Sequence, residues 1–162
     1  NATLYNDSIV AQIVKRFQKE DAVVIYVPDH GEECYEEDRG FICRNHSANI
    51  DWPLAHYEFE IPFWIYCSPK YIRNHRDIYR QIRKAKDKRF MTDALPHLLL
   101  YLAGIETPTY KEEYNILSPK YNEMRPRILK NSADYDQLRD EHLEKVEKEK
   151  SKKEKSKKGD KK

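Results

Sequence analysis

Two stretches of the chain are almost continuously apolar, and a long polar segment separates them. Residues 22–27 read AVVIYV, and residues 60–67 read EIPFWIYC. A short run of β-branched and aromatic residues without alternation predicts a strand buried on both faces, as in a parallel sheet covered by helices. The polar connection over residues 28–58 is long enough to indicate a functional segment rather than a simple turn.

Helical spacing or helix boundary residues mark three further segments. Residues 4–19 carry apolar side chains on one helical stripe, namely Val10, Ile13, Val14 and Phe17. Ser68 followed by Pro69 predicts an N-cap and first turn of a helix that continues to about Lys86. Another helix is predicted over ALPHLLLYLA, and Gly104 ends it.

The order helix, strand, loop, strand, helix, helix is typical of an α/β fold. Two apolar strands cannot make a doubly covered sheet alone, because their edges would leave backbone groups unpaired. A mean sheet has about five or six strands, and this chain begins at Asn1 rather than Met. We therefore expect residues 1–135 to be the C-terminal part of an α/β domain whose other strands come from elsewhere.

The charged residues concentrate at the end of the chain. Hydrophobic residues make up 39% and charged residues 36% of the whole, but residues 137–162 hold eleven Lys/Arg against seven Asp/Glu and almost nothing apolar. Such a segment cannot offset its ordering entropy by burial. We predict that residues 136–162 are a frayed helix running into a charged, disordered tail. Simple solubilisation is the favoured role, and binding to anionic lipid or nucleic acid is the alternative.

The remaining composition limits the function classes. No run of 18 apolar residues is present, so no segment is predicted to span a membrane. The twelve tyrosines have no accompanying Gly-rich binding motif, and we expect no nucleic-acid partner. Cys34 and Cys43 flank one loop and would form a disulfide in an oxidising compartment; free thiols are the equal alternative, since Cys67 makes the total odd.

Asp29, His30 and Gly31 follow the first apolar stretch directly. Ligands of open α/β sheets bind at the carboxyl ends of strands. A carboxylate beside an imidazole suits Zn²⁺ or a similar divalent ion, and a glycine permits the tight backbone path that lets both side chains face the ion. The tripeptide alone is a weak signal, and an ordinary turn is the alternative.

The wider context of this tripeptide resembles a known superfamily. The blocks VIYVPDHGEE, RNHS, YEFEIPFWIYCSPKY and FMTDALPHLLLYLAGIETPTY together are similar to the sulfatase-like, alkaline-phosphatase superfamily, and most to the bacterial phosphoethanolamine transferases that modify lipid A. The resemblance covers nearly all of residues 1–135. It implies an α/β sandwich with a central β-sheet covered by helices, of which this chain is the C-terminal portion.

The resemblance assigns roles to three residues. Asp29 and His30 match the metal pair of the family, which usually holds Zn²⁺, and His46 matches the histidine that contacts the transferred phosphoryl group. The threonine nucleophile and another metal carboxylate lie in the N-terminal half of the family's domain, and nothing in this chain matches them. The chain is therefore expected to hold half of an active site and to be inactive alone.

The resemblance also implies a reaction and a location. In such enzymes a threonine attacks the phosphodiester of phosphatidylethanolamine, which releases diacylglycerol and leaves phosphoethanolamine on the threonine. An acceptor such as lipid A then displaces the threonine and takes the phosphoethanolamine group. The full protein is expected at the periplasmic face of the inner membrane, anchored through its N-terminal part, with the remainder of its own catalytic domain as a partner. A sulfatase or phosphodiesterase of the same superfamily, or a non-catalytic truncated module with a basic tail, are the alternative interpretations.

Several other polar residues are expected to do less. Glu32 and Glu33 either orient His30 as hydrogen-bond acceptors or form an exposed acidic loop. His56 is expected to have a surface or loop-packing role. The segment around His75 is basic and is expected to be a solvated face rather than a phosphate site, and His97 is expected in the core or at an interface.

Overall fold

A computed structural model describes residues 2–43 and 49–159 of the chain, which combine helices and short strands. In chain order these elements are α1 (Ala2–Phe17), β1 (Val23–Tyr26), β2 (Glu33–Cys34), β3 (Phe41–Cys43), α2 (Trp52–Phe59), β4 (Trp64–Cys67), α3 (Pro69–Asn74), α4 (Arg76–Ala85), α5 (Leu95–Ala103), β5 (Ile128–Leu129), β6 (Ala133–Asp134) and α6 (Tyr135–Gly159). They form two compact units, residues 1–27 with 62–125 and residues 28–61 with 126–162. The predicted mixture of helix and strand is confirmed.

Within the described residues, the sheets are small. Each of the three has two strands, paired as β1 with β4, β2 with β3, and β5 with β6. A central sheet covered by helices is thus not built by the described residues alone, and the sandwich stays a prediction. None of the helices in this part of the chain is long and apolar enough to cross a membrane.

The two predicted apolar strands are present, but the expectation that they lie as in a parallel sheet buried on both faces was wrong for the described residues. β1 pairs with β4 in antiparallel register, from Val23 opposite Cys67 to Tyr26 opposite Trp64. Every residue of β1 is half-buried, because each strand has a single described neighbour. The rings of Tyr26 and Trp64 stack with centroids 5.2 Å apart, which covers part of their apolar surface.

Ser68 ends β4 and begins α3, as its sequence position predicts. Its Oγ accepts a hydrogen bond from the amide of Tyr71 at 3.0 Å and donates one to the carbonyl of Glu20 at 2.5 Å. The helix predicted to run to about Lys86 is interrupted at His75, where φ is −125° and ψ is 51°. α4 then continues from Arg76 to Ala85.

The core of the first unit lies beneath α4 and α5. Leu98 is completely buried, and Ala85, Ile116 and Leu117 surround it. α5 ends at Gly104, whose φ of +66° is the left-handed C-cap that the sequence predicts. Of the stripe predicted on α1, Ile13 and Phe17 are exposed, since they retain 44% and 40% of their accessible surface, whereas Val10 and Val14 are half-buried.

The core of the second unit forms between α2 and α6. Ala55 and Tyr135 are buried, and Trp52 and Leu138 pack against them. α6 extends through residues that the sequence predicts to be a frayed helix and tail. Disorder of that tail in solution stays a prediction.

Candidate functional site

Asp29 and His30 lie side by side in the loop that follows β1. The His30 Nε2 atom is 3.4 Å from Oδ2 of Asp29, and the Asp29 side chain is 86% exposed against 26% for His30. The His30 Nδ1 atom lies 2.7 Å from the carbonyl oxygen of Gly31. Because a carbonyl only accepts, Nδ1 carries the ring proton in neutral His30, and the lone pair of Nε2 faces the Asp29 carboxylate.

This arrangement suits a divalent metal ion. Two ligands about 2.0–2.2 Å from a tetrahedral zinc ion lie about 3.4 Å from each other. A second hydrogen bond that fixes the tautomer of a ligating histidine is a common feature of zinc sites. No third His, Cys, Asp or Glu completes a metal cluster within residues 2–43 and 49–159. The described residues therefore fit two ligands of a zinc site.

Gly31 docks this loop on α2. Its amide donates a hydrogen bond to the carbonyl oxygen of Glu58 at 2.8 Å. A Cβ atom at position 31 would lie 2.1 Å from the carbonyl oxygen of Tyr57, well inside van der Waals contact. Gly31 is not among the residues with positive φ, so close approach to α2 is the reason that glycine is required here.

The position of Glu33 differs from both predictions made for it from the sequence. Its side chain is fully buried, and Oε1 lies 2.7 Å from Nε of Arg39. It does not orient His30, because the carbonyl of Gly31 takes that role. Burial raises the pKa of Glu33, and Arg39 opposes the shift. Glu32 is exposed.

Arg39 extends this contact to the start of α2. Its Nη1 atom lies 2.5 Å from Oδ2 of Asp51, and Oδ1 of Asp51 accepts the amide hydrogen bond of Leu54 at 3.1 Å as the N-cap. Burial would raise the pKa of Asp51, but the hydrogen bonds from Arg39 and Leu54 outweigh it and lower the pKa. The carboxylates of Glu33 and Asp51 thus share one guanidinium. The available sequence signal was that Arg39 directly follows three acidic residues, Glu36–Asp38.

His46 and the side chain of Cys43 lie outside the described residues, so the role predicted for His46 stays a prediction. β2 and β3 pair with Glu33 opposite Cys43 and Cys34 opposite Phe41, which places both cysteines of the predicted disulfide on neighbouring strands. The disulfide itself stays a prediction. Cys67 is a buried free thiol, and burial raises its pKa.

The other three histidines discussed from sequence make structural contacts. The ring of His56 stacks on Trp52 at 5.4 Å, and its Nδ1 lies 3.0 Å from Oε1 of Glu60. The ring of His75 stacks on a tyrosine, with 4.3 Å between centroids. His97 is half-buried, and its Nδ1 accepts the amide hydrogen bond of Lys111 at 3.1 Å.

Comparison with known proteins gives this geometry a context. The chain is 32% identical over 146 residues to the phosphoethanolamine transferase EptC of Escherichia coli O18:K1:H7. It is also 27% identical over 92 residues to the Kdo(2)-lipid A phosphoethanolamine 7''-transferase of E. coli K12. The chain is therefore homologous to the part of EptC that it matches. The match to EptC covers 85% of the chain but 24% of the relative, so the chain spans about a quarter of its length. No protein-family model matches the chain.

Solved structures of this transferase support the homology at the level of the fold. The crystal structure of the C-terminal periplasmic domain of EcEptC from E. coli superposes with a TM-score of 0.67 and 29% identity, covering 85% of the chain and 39% of that domain. The same domain in complex with Zn gives the same TM-score and identity. The relatives named in these matches are transferases and therefore enzymes. The sequence match and the similar fold together confirm the predicted resemblance to phosphoethanolamine transferases.

Proposed function

We propose that this chain is the C-terminal part of the catalytic domain of a metal-dependent phosphoethanolamine transferase. The observation that carries the proposal is the Asp29–His30 pair, with Nε2 and Oδ2 3.4 Å apart and the opposite ring nitrogen held by Gly31. Homology to transferases of this name favours transfer over the sulfatase and phosphodiesterase alternatives.

Asp29 and His30 hold the metal in this proposal. A bound zinc ion would act as a Lewis acid that neutralises charge on the reacting phosphoryl oxygens. The exposed carboxylate of Asp29 supplies negative charge, and His30 supplies a neutral nitrogen whose orientation the carbonyl of Gly31 maintains. The contact of Gly31 with α2 restrains the loop that carries the pair.

The remaining parts of the reaction involve groups outside the described residues. His46 would contact the transferred phosphoryl group, and its imidazolium would stabilise the phosphoryl oxygens or protonate a leaving group. The nucleophile and the further metal ligands belong to the rest of the domain. Phosphatidylethanolamine is the proposed donor, a lipid A-type glycolipid the acceptor, and the periplasmic face of the inner membrane the location.

Zinc titration of the chain, followed by NMR signals of its histidine rings, tests the metal assignment. Two ligands should bind zinc weakly, with the His30 signals shifting and those of His97 unchanged. Asp29→Ala should remove the His30 response, and His30→Ala identifies which ring signals belong to His30. Zinc that leaves His30 unchanged contradicts the site, and tight stoichiometric zinc contradicts the half-site.

Activity is tested in the complete enzyme to which the chain belongs. Asp29→Ala and His30→Ala should each abolish transfer of phosphoethanolamine from phosphatidylethanolamine, because each removes a metal ligand. Lys111→Ala, in the first unit, provides a control for the effect of substitution itself. Retained turnover in either ligand variant would refute the assignment.

A further inference from the structure

The segment from α3 to the turn after α4 concentrates positive charge. Residues 69–89 contain nine Lys/Arg and two Asp/Glu, a surplus of seven positive charges, whereas the whole chain has a net charge of only +2. The rest of the chain therefore carries a surplus of five negative charges. A local surplus of this size on one segment produces a strongly positive surface potential.

The structure separates this charge from the core. Ile78, Ile82 and Ala85 of α4 pack in the first unit's core, and the exposed side chains of the helix include Arg76, Arg80, Arg83 and Lys84. At 100° per residue these four lie within about one-third of the helix circumference, opposite the apolar residues. Together with the exposed residues Lys70, Arg73 and Lys86 they form what we call the basic face.

Most of the basic face lacks internal neutralisation. On the basic face, Arg80 pairs with Asp77 and Lys86 pairs with Asp87, and the neighbouring His75 ring lies close to the carboxylate of Asp21. No described carboxylate pairs with the other exposed cations, which are Lys70, Arg73, Arg76, Arg83 and Lys84. Five cations are thus available to an external partner.

The chemistry of the basic face points to one kind of partner. Within residues 69–89 every exposed side chain except Pro69 is polar or charged. The tyrosine rings of the segment are buried or half-buried, so they do not provide an exposed platform for stacking bases. Several Lys/Arg on one face of an amphipathic helix are the pattern that binds the phosphate groups of anionic lipids. Such binding needs charge on an extended surface and no pocket.

We propose that the basic face docks the first unit on an anionic phospholipid bilayer. The guanidinium and ammonium groups lie against lipid phosphates, while the apolar face of α4 stays in the protein core. This proposed role goes beyond the solvated face that the sequence predicts. The docking does not depend on the proposed transfer reaction, because it involves neither Asp29 nor His30 and is measured without turnover.

Cosedimentation of the full chain with vesicles tests the proposal. The chain should bind vesicles containing about one-third phosphatidylglycerol in phosphatidylcholine and should not bind pure phosphatidylcholine vesicles. The binding should weaken as ionic strength rises. Arg76→Gln/Arg83→Gln/Lys84→Gln should lower the affinity about a hundredfold, since each cation near such a surface contributes about fivefold. Far-UV circular dichroism confirms that the variant is folded.

A matched variant separates the basic face from net charge. Lys145→Gln/Lys150→Gln/Lys152→Gln also removes three positive charges, here from exposed positions of α6. It should change vesicle binding much less. An equal loss in both variants would mean non-specific attraction and would overturn the proposal. Binding to pure phosphatidylcholine, no binding to either vesicle, or tighter binding to duplex DNA through the same three residues would also overturn it.

Discussion

The amide nitrogen of Gly31 lies 2.8 Å from the carbonyl oxygen of Glu58 and donates a hydrogen bond to it. Glu58 belongs to the last turn of α2, where helix carbonyls lack partners within the helix. The contact therefore satisfies a helix end and fixes the residue that follows His30. The proposed metal pair is positioned by this backbone contact in addition to its own side chains.

Gly31→Ala should disturb both stability and the metal pair. The new Cβ would lie 2.1 Å from the carbonyl of Tyr57, so the loop must move away from α2, at a cost of about 1–3 kcal/mol. Urea unfolding should show this loss of stability. In a zinc titration, the NMR signals of His30 should no longer respond to the metal.

Gly104→Ala is the matched control for that variant. Gly104 has φ of +66°, and a Cβ atom added there would meet no other atom within 4 Å, so alanine costs about 1–2 kcal/mol through backbone strain alone. It should lower the free energy of unfolding and leave the His30 response intact. If Gly31→Ala retains the wild-type zinc response, the positioning role of the contact is wrong.

Arg39→Ala should destabilise the second unit strongly. The substitution leaves the fully buried carboxylate of Glu33 without the cation that lies 2.7 Å from it. Removing one partner of a buried pair costs on the order of 3 kcal/mol, because the other charge remains desolvated. Adding Glu33→Gln to Arg39→Ala should recover part of the loss in urea unfolding. A double variant as unstable as the sum of the single variants would contradict the coupling.

The pH dependence of stability should also identify Glu33. Burial raises its pKa above the ordinary value of 4.5, so the folded state holds the proton more tightly than the unfolded state. The stabilisation is complete below pH 4.5 and is lost as pH rises through the folded pKa. Glu33→Gln lacks this dependence. The stability of the wild type relative to Glu33→Gln should therefore fall with rising pH, and a constant difference in urea unfolding would contradict it.

Tyr135 should make the chain sensitive to alkaline pH. Burial and a hydrogen bond from its hydroxyl to Glu60 raise its pKa from 10.0 to about 12. The stabilisation is fully present below pH 10 and is lost between about pH 10 and 12, with a size of about 2–3 kcal/mol. In urea unfolding, Tyr135→Phe should lose less stability than the wild type across that interval. Tyr5→Phe, at a position that is 69% exposed, should behave as the wild type.

Local signals in the sequence predicted the start of α3, the end of α5 and the two apolar strands β1 and β4, but they predicted neither α2 nor the break at His75. Ser68, Pro69 and Gly104 act through hydrogen bonds and backbone angles within a few residues, so their effects can be deduced without knowing the tertiary structure. The direction of β1 relative to β4 cannot be deduced in this way, because a continuous apolar run is compatible with parallel and antiparallel partners.

The features of the candidate site that the sequence did not predict depend on contacts between segments that are distant along the chain. The requirement for glycine at position 31 comes from the carbonyl of Tyr57, 26 positions along the chain. Likewise, the burial of Glu33 depends on Arg39 and the start of α2. The sequence pattern predicted Asp29 and His30 as a metal pair and Gly31 as a tight turn beside it, but no local signal indicated the α2 carbonyl that Gly31 contacts.

Truncation should show how much of α6 the second unit needs for its stability. Leu138 packs against the core of Ala55 and Tyr135, and the ring of His142 stacks on Trp52 with centroids 5.2 Å apart. A chain that ends at Lys148 keeps these contacts and should unfold at the same urea concentration as the full chain. A chain that ends at Asp136, close to the boundary predicted from sequence, loses both contacts and should be less stable by about 2–5 kcal/mol. Equal stability of the two truncated chains would mean that α6 contributes nothing beyond its first turn.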